Sequence, residues 1–271
     1  MNNSLSKPYL PPSTFWSIRQ GFPSWLKLLL TAIALIIPLT IWSFLSYNEL
    51  VNPQFLPTPT AVLLAGIEMF KSEDLITDIA ASSGRVLAGF LVAAIVGIPL
   101  GILMGTFHSM ESLFGSIVGV VRYMPIAAFM PLIVLWAGLG EISKILIIFL
   151  GIVFYNAIMI ADAVKFIPND MLNAAYTLGA NRRNLLFRVI LPAAIPSIID
   201  TLRVNVAGAW NFLVISELIA AQNGLGFKII YSQRFLSTDK VLFCILIIGI
   251  IGLLLDSSFK LLYRLALPWA E

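Results

Sequence analysis

The chain is short of charge. Only 11% of its 271 residues are Asp, Glu, Lys or Arg, 59% are hydrophobic, and the mean hydropathy is +0.94. Soluble domains carry about 25% charged residues. Packed in water, so oily a chain would expose large apolar patches, so it belongs in a bilayer. Cysteine and histidine are nearly absent too. The single Cys244 excludes an intramolecular disulfide, and its hydrophobic surroundings read as those of a small buried or lipid-facing residue. The single His108 excludes histidine-rich metal sites and H-E-x-x-H protease chemistry; beside a turn, it reads as an interfacial surface residue. No G-x-x-x-x-G-K-S/T phosphate loop is present, so the chain is not expected to hydrolyse ATP itself. Gly224-Leu225-Gly226 lacks the third glycine and the preceding strand of a dinucleotide fingerprint and reads as a turn. The expectation is a chain that is not an enzyme and holds no metal or cofactor. Its net charge of +3 gives no reason to expect nucleic acid.

What is there is a series of long apolar runs, which predict an all-α, polytopic membrane protein with about six transmembrane helices. Residues 1–24 are polar and proline-bearing, with Trp16 and Arg19. They read as a cytoplasmic tail rather than a signal peptide, and residues 25–271 as the transmembrane domain. Spans are expected near 26–47, 79–106, 112–136, 145–164, 193–220 and 241–263. The amphipathic stretch Thr60 to Phe70 should lie on the outer surface or against neighbouring helices. Gly97, Gly101 and Gly105, spaced four apart in the second span, favour close helix packing. Pro125 and Pro131 interrupt the third span. That is tolerable only where the freed carbonyls face protein or water, so this span reads as pore-lining. Residues 222–240 are too polar to span and should form an outer loop with a short helix.

The longest polar run, Pro168 to Pro196, has helical spacing of its own. Ala174, Ala175 and Leu178 fall at i, i+1 and i+4, on one face of a short helix. Gly179 stands where a helix C-terminus wants a left-handed residue. A second helical run, Asn184 to Ile190, leads into Leu191-Pro192, where proline suits the first turn of a new helix. Spacing alone leaves open a solvated connector with chance amphipathicity. The intervals between Ala174-Ala175, Gly179, Val189, Leu191 and Pro192 resemble the cytoplasmic signature of bacterial ABC importer permeases: E-A-A, three residues, Gly, nine residues, then I-x-L-P. Asn173 stands in place of the usual Glu, and Val189 in place of Ile. The segments 85–105, 131–145 and 209–227 and the closing Pro268-Trp269 are similar to the taurine/alkanesulfonate/nitrate branch of that family.

The resemblance implies a type I ABC importer permease fold in the bacterial inner membrane, with a cytoplasmic coupling loop over about 166–192. It implies a pore of two permease subunits, an identical second copy being the expected partner. Two separate ATP-binding subunits would hold ATP and Mg, and a periplasmic binding protein would deliver a small oxyanion-type solute such as taurine, an alkanesulfonate or nitrate. It assigns Asn173, Ala174, Ala175, Gly179, Val189, Leu191 and Pro192 to coupling with the ATPase.

Orientation follows from Lys and Arg. With both termini inside, the cytoplasmic set is Lys7, Arg19, Lys27, Lys165, Arg182, Arg183, Arg188, Lys260 and Arg264, against Lys71, Lys144, Lys228, Arg234 and Lys240 outside. This excess favours the positive-inside arrangement. Charges inside spans should face a cavity or a partner. Arg85, Asp162 and Asp256, near span ends, are expected to snorkel or cap; Asp200 and Arg203 are expected to pair along one face. Arg122, with Tyr123 beside it and Pro125 three residues on, can offer a fixed positive charge to an oxyanion. A buried pair with Glu111 or Glu217 is equally open. Arg122, Tyr123, Pro125 and Glu217 are the candidate pathway residues. The rival reading is a self-sufficient secondary transporter or channel for a small anion, which would work without an ATPase.

Overall fold

The computed structural model describes residues 23–72 and 74–268. The tail expected over residues 1–24 lies outside them except for Pro23 and Ser24, as does Trp269 of the closing pair. The described residues form helices and no strand. Long apolar runs require this, because a helix in a bilayer satisfies its own backbone polar groups.

The described residues fall into two compact units that divide between Thr60 and Ala61. In the first, α1 (Ser24–Tyr47) continues through Pro38 and exposes Leu28, Leu35 and Phe44, as a lipid-facing helix does. The chain after α1 is tied back to it. Trp42 Nε1 donates to the Pro57 carbonyl at 2.9 Å, and the Tyr47 hydroxyl donates to Thr60 Oγ1 at 2.9 Å.

The second unit follows from α2 (Pro59–Ser72), which begins at the boundary. It holds α3 (Leu75–Thr106), α4 (His108–Val121), α5 (Ile126–Ala137), α6 (Glu141–Lys165), α7 (Asn169–Thr177), α8 (Arg182–Leu185), α9 (Leu191–Ala220), α10 (Leu225–Arg234) and α11 (Thr238–Ala266). A π turn, Leu186–Ile190, joins α8 to α9. Helices α3 and α6 share the most extensive interface, and α9 packs against α6. The glycine spacing explains the first of these. A Cβ on Gly97 would stand 2.8 Å from Asn156 Cβ, and one on Gly101 would stand 2.7 Å from the Ala157 carbonyl oxygen. Only glycine permits this approach, so the four-residue repeat is a packing stripe. Beside it, Val86, Phe90, Ile148, Ile152, Trp210 and Leu213 are buried together.

The third span departs from expectation. It breaks once, at Pro125, and α4 and α5 meet there at 99°. Pro125 has extended backbone (φ −67°, ψ 116°) and no amide to continue the ladder of α4. Pro131, by contrast, lies inside α5, which carries on through it. At 1.5 Å per residue these 14- and 12-residue helices are about 21 and 18 Å long, short of a hydrocarbon core of about 30 Å. Among the described residues there are therefore five long apolar helices and one bent pair, six spans if the pair is counted as one.

Candidate functional site

The polar loop over residues 166–192 is built as two helical pieces around Gly179. Helix α7 ends in a Schellman motif. The Gly179 amide donates to the Tyr176 carbonyl at 2.9 Å and the Ala180 amide to the Ala175 carbonyl at 3.0 Å, with Gly179 at φ +83°. Asn181 then caps α8, its Oδ1 accepting from the Asn184 amide at 2.8 Å. Pro192 stands in the first turn of α9, as the spacing predicts, but no loop separates α9 from the run before it. Proline has no amide for the Arg188 carbonyl, and the chain absorbs this with the π turn, in which the Leu191 amide donates to the Leu186 carbonyl. Helix α9 continues from there.

The two alanines of the motif do different things. Ala175 is half-buried and packs with Leu172, Ile167, Val189 and Leu191 against a core that includes Leu185 and Ile190. Asn173 and Ala174 are exposed, as are Gly179 and Pro192. Ala174 belongs to a different stripe, Met171, Ala174 and Leu178 at i, i+3 and i+7, and both Met171 and Leu178 are exposed. Leu178, at 88% exposure, is the most prominent apolar side chain of the loop. Grouping Ala175 with Ala174 on one outward face is therefore corrected. Ala175, Val189 and Leu191 anchor the loop, and Met171, which the sequence reading passed over, belongs to its outward face.

A second feature lies at the α4–α5 break. Arg122, Tyr123 and Pro125 line a cavity of about 300 Å³ whose far wall includes Phe129, Phe154 and Phe212. Arg122 Nη2 donates to the Tyr123 hydroxyl at 2.8 Å, and the guanidinium lies 4.6 Å from the centre of that ring. Arg122 pairs with neither suggested carboxylate. Glu111 is held by Lys165 at 2.7 Å, with exposed His108 at 3.5 Å, and Glu217 faces Arg85. Glu217 is thus not brought to this cavity.

It belongs to a third feature, which spacing did not disclose. Arg85 does not snorkel; its side chain is 3% exposed. Its Nε and Nη2 donate to the two Glu141 oxygens at 2.6 and 2.8 Å, and Nη1 donates to Glu217 Oε1 at 2.5 Å. Nη1 and Nη2 also donate to the Asn223 carbonyl at 2.9 Å and to Asn223 Oδ1 at 2.5 Å. All five guanidinium donors are thus used. Glu217 further accepts from Ser82 at 2.8 Å and from the Gly226 amide at 2.7 Å, while Asp78 accepts from the Gly224 amide at 2.6 Å. Carboxylates therefore meet the free amides at the N-terminus of α10. Lys144 and Lys228 lie 2.8 and 3.6 Å from Glu141 and Asp78, so three cations face three carboxylates. This cluster locks α3, α6, α9 and α10 together at the end of the bundle away from α7.

The other intramembrane charges are also accounted for. Arg203 reaches Asp200 at 3.2 Å, as expected, and also Asp256 at 3.1 Å. Asp256 in addition pairs with Lys260, so it is a partnered charge rather than a cap. Asp162 is exposed.

The chain is similar to known proteins. The chain is 39% identical over 236 residues to the taurine transport system permease protein TauC of Escherichia coli, covering 85% of this chain and 86% of that one. It is 33% identical to the putative aliphatic sulfonates transport permease protein SsuC of Bacillus subtilis, covering 90% and 88%. The fold matches a chain of the MetNI methionine ABC transporter, solved in inward-facing conformations, with a TM-score of 0.63 at 17% identity over 70% of this chain and 94% of that one. Residues 97–267 match the family described as binding-protein-dependent transport system inner membrane component. That span runs from the glycine stripe of α3 through the break, the loop of α7 and α8, and α11. The chain belongs to this family, the inner-membrane permease subunits of ABC importers.

Proposed function

We propose that two identical copies of this chain form the pore of an ATP-driven importer for a small oxyanion-type solute. Taurine, an alkanesulfonate, nitrate or a similar ion would be delivered by a periplasmic binding protein. Two ATP-binding subunits carry ATP and Mg and take up α7 in a surface cleft on the cytoplasmic side. The closing of the ATPase pair is passed to the spans as a rocking motion. The observation that carries this reading is the exposed Met171–Ala174–Leu178 stripe. It lies on a short helix stiffened at one end by the Gly179 Schellman motif and fastened to the bundle through Ala175. An apolar stripe on a loop outside the spans has no use to lipid and fits the surface of a partner protein. The excess of Lys and Arg on this side supports cytoplasmic termini and a cytoplasmic α7. The solute class rests on the similarity to the taurine and aliphatic sulfonates permeases and on Arg122, Tyr123 and Pro125 at the bent span.

The test is uptake into proteoliposomes. Solute accumulation should require ATP, the ATPase subunits and the binding protein together. Accumulation by the permease alone, driven by an ion gradient, would instead identify a secondary transporter.

A further inference from the structure

We propose that the open cavity over α8 and the π turn is a binding site for an anionic phospholipid. Its phosphate would sit between Arg183 and Arg188, and an acyl chain would lie along Phe187. This goes beyond the transport reading and requires only that the chain crosses a bilayer.

The head site follows from charge and from the π turn. From Met171 to Ile199 the sequence has no Asp or Glu, and its only charges are Arg182, Arg183 and Arg188. Among the described residues neither Arg183 nor Arg188 has a carboxylate within ion-pair distance, whereas Arg85 and Arg203 are each matched by two. Residues five apart on a regular α-helix point about 140° away from each other. The wider turn over Leu186–Ile190 narrows that angle, and Arg183 and Arg188 line one cavity of about 460 Å³ with Asn181, Asn184 and Phe187. Their neighbour Arg182 does not line it. Two exposed guanidiniums on one cavity, with the amide donors of Asn184 beside them, can fork onto the oxygens of a phosphate. A zwitterionic headgroup brings its own cation to the phosphate and leaves the second guanidinium unanswered, so a lipid of net negative charge fits better.

Depth identifies the phosphate as a lipid's. Helix α6, with 25 residues, is about 38 Å long against a hydrocarbon core of about 30 Å, so its last residues lie where the headgroups begin. Val164, its last residue but one, is buried in the same cluster as Ile102 near the end of α3, and as Leu185 and Ile190, which bracket Phe187 and Arg188. The cavity therefore stands at headgroup depth. Phe187 is exposed there, and an exposed aromatic beside arginines at that depth suits acyl chains better than water. The apolar stripe that fits a partner protein, Met171, Ala174 and Leu178, belongs to the other helical piece.

The experiment titrates the permease–ATPase complex, in nonionic detergent, against a fluorescent phosphatidylglycerol and follows its anisotropy. Saturable binding is expected, displaced at least tenfold more weakly by phosphatidylcholine, and more weakly still by glycerol phosphate, which offers the phosphate without the chains. Arg183→Gln and Arg188→Gln should each lower affinity about fivefold. Phe187→Ser should lower it several-fold, and Arg182→Gln should leave it within about twofold of the parent. These last two decide the matter should either of the first two fail to purify. Equal displacement by phosphatidylcholine would overturn the proposal. So would equal displacement by glycerol phosphate, which would make the cavity a site for free phosphate. An Arg182→Gln effect as large as the other two would overturn it as well, reducing the contact to general basic charge. Loss of the ATPase from Arg183→Gln and Arg188→Gln with lipid binding unchanged would assign the cavity to the partner protein instead. No binding in a complex that still transports would also overturn it and leave the transport function standing.

Discussion

Replacing Arg85 by Met tests the buried cluster that closes one end of the bundle. The substitution deletes five donated hydrogen bonds and leaves two carboxylates behind. They respond differently. The Glu141 side chain is 57% exposed and can return to water, so its share of the loss is small. The Glu217 side chain is 0% exposed and cannot. Breaking a buried pair from one side costs about 3–5 kcal/mol, because the remaining charge is stranded. For a domain of this size each kcal/mol shifts the melting temperature by about 2–4 °C, so a drop on the order of 10 °C is expected. Adding Glu217→Gln should recover part of it, since the amide oxygen can still accept from Ser82 and Gly226 while the stranded charge is gone. The assay is thermal denaturation of the purified permease in detergent, read as the monodisperse fraction by size exclusion. A single variant melting within about 2 °C of the parent would refute the reasoning, because that shift is no more than about 0.5–1 kcal/mol. So would a double variant that melts lower than the single one.

Gly101→Val should separate α3 from α6, since its Cβ would press on the Ala157 carbonyl, and should sharply reduce the yield of folded protein; Gly84→Val, with no atom within 4 Å of its Cβ, should not. A topology reporter fused after Gly179 should report cytoplasm and one after Phe235 the outer side; both on one side would contradict the arrangement of spans. Gly179→Val forces a branched side chain to φ +83°, at a cost of about 1–2 kcal/mol, and should lower uptake several-fold while membrane insertion, followed by blotting of membrane fractions, stays normal.

The fold was legible where one helix carries its own signal. The apolar runs located α1, α3, α6, α9 and α11, and the glycine spacing of α3 announced a close packing partner. Gly179 announced a left-handed turn, because that conformation excludes most other residues. What was not legible depended on contacts between distant segments. Arg85 and Glu217 stand 132 residues apart, so no spacing rule joins them. The available signal was that each lay in an apolar run and needed a partner. The π turn was hidden because Pro192 shows only that a helical bond is missing, not whether the helix stops or widens. Ala174 and Ala175 were indistinguishable in sequence. Only the packing of Ala175 against the core that includes Leu185 and Ile190 shows which of them faces outward.

The central claim is that α7 is the surface on which an ATPase seats, and co-purification of the ATPase with tagged permease carrying Ala174→Trp tests it most directly. Ala174 is exposed on the outward stripe, so the indole disturbs no contact within the permease, whereas Ala175→Trp would strain the anchoring core. Bulk added to a tight contact costs about 1–3 kcal/mol, which at about 1.4 kcal/mol per decade is up to roughly a hundredfold in affinity. The account predicts that the variant permease inserts and purifies at normal yield but brings down little or no ATPase. Recovery of the ATPase at the parent level would contradict it.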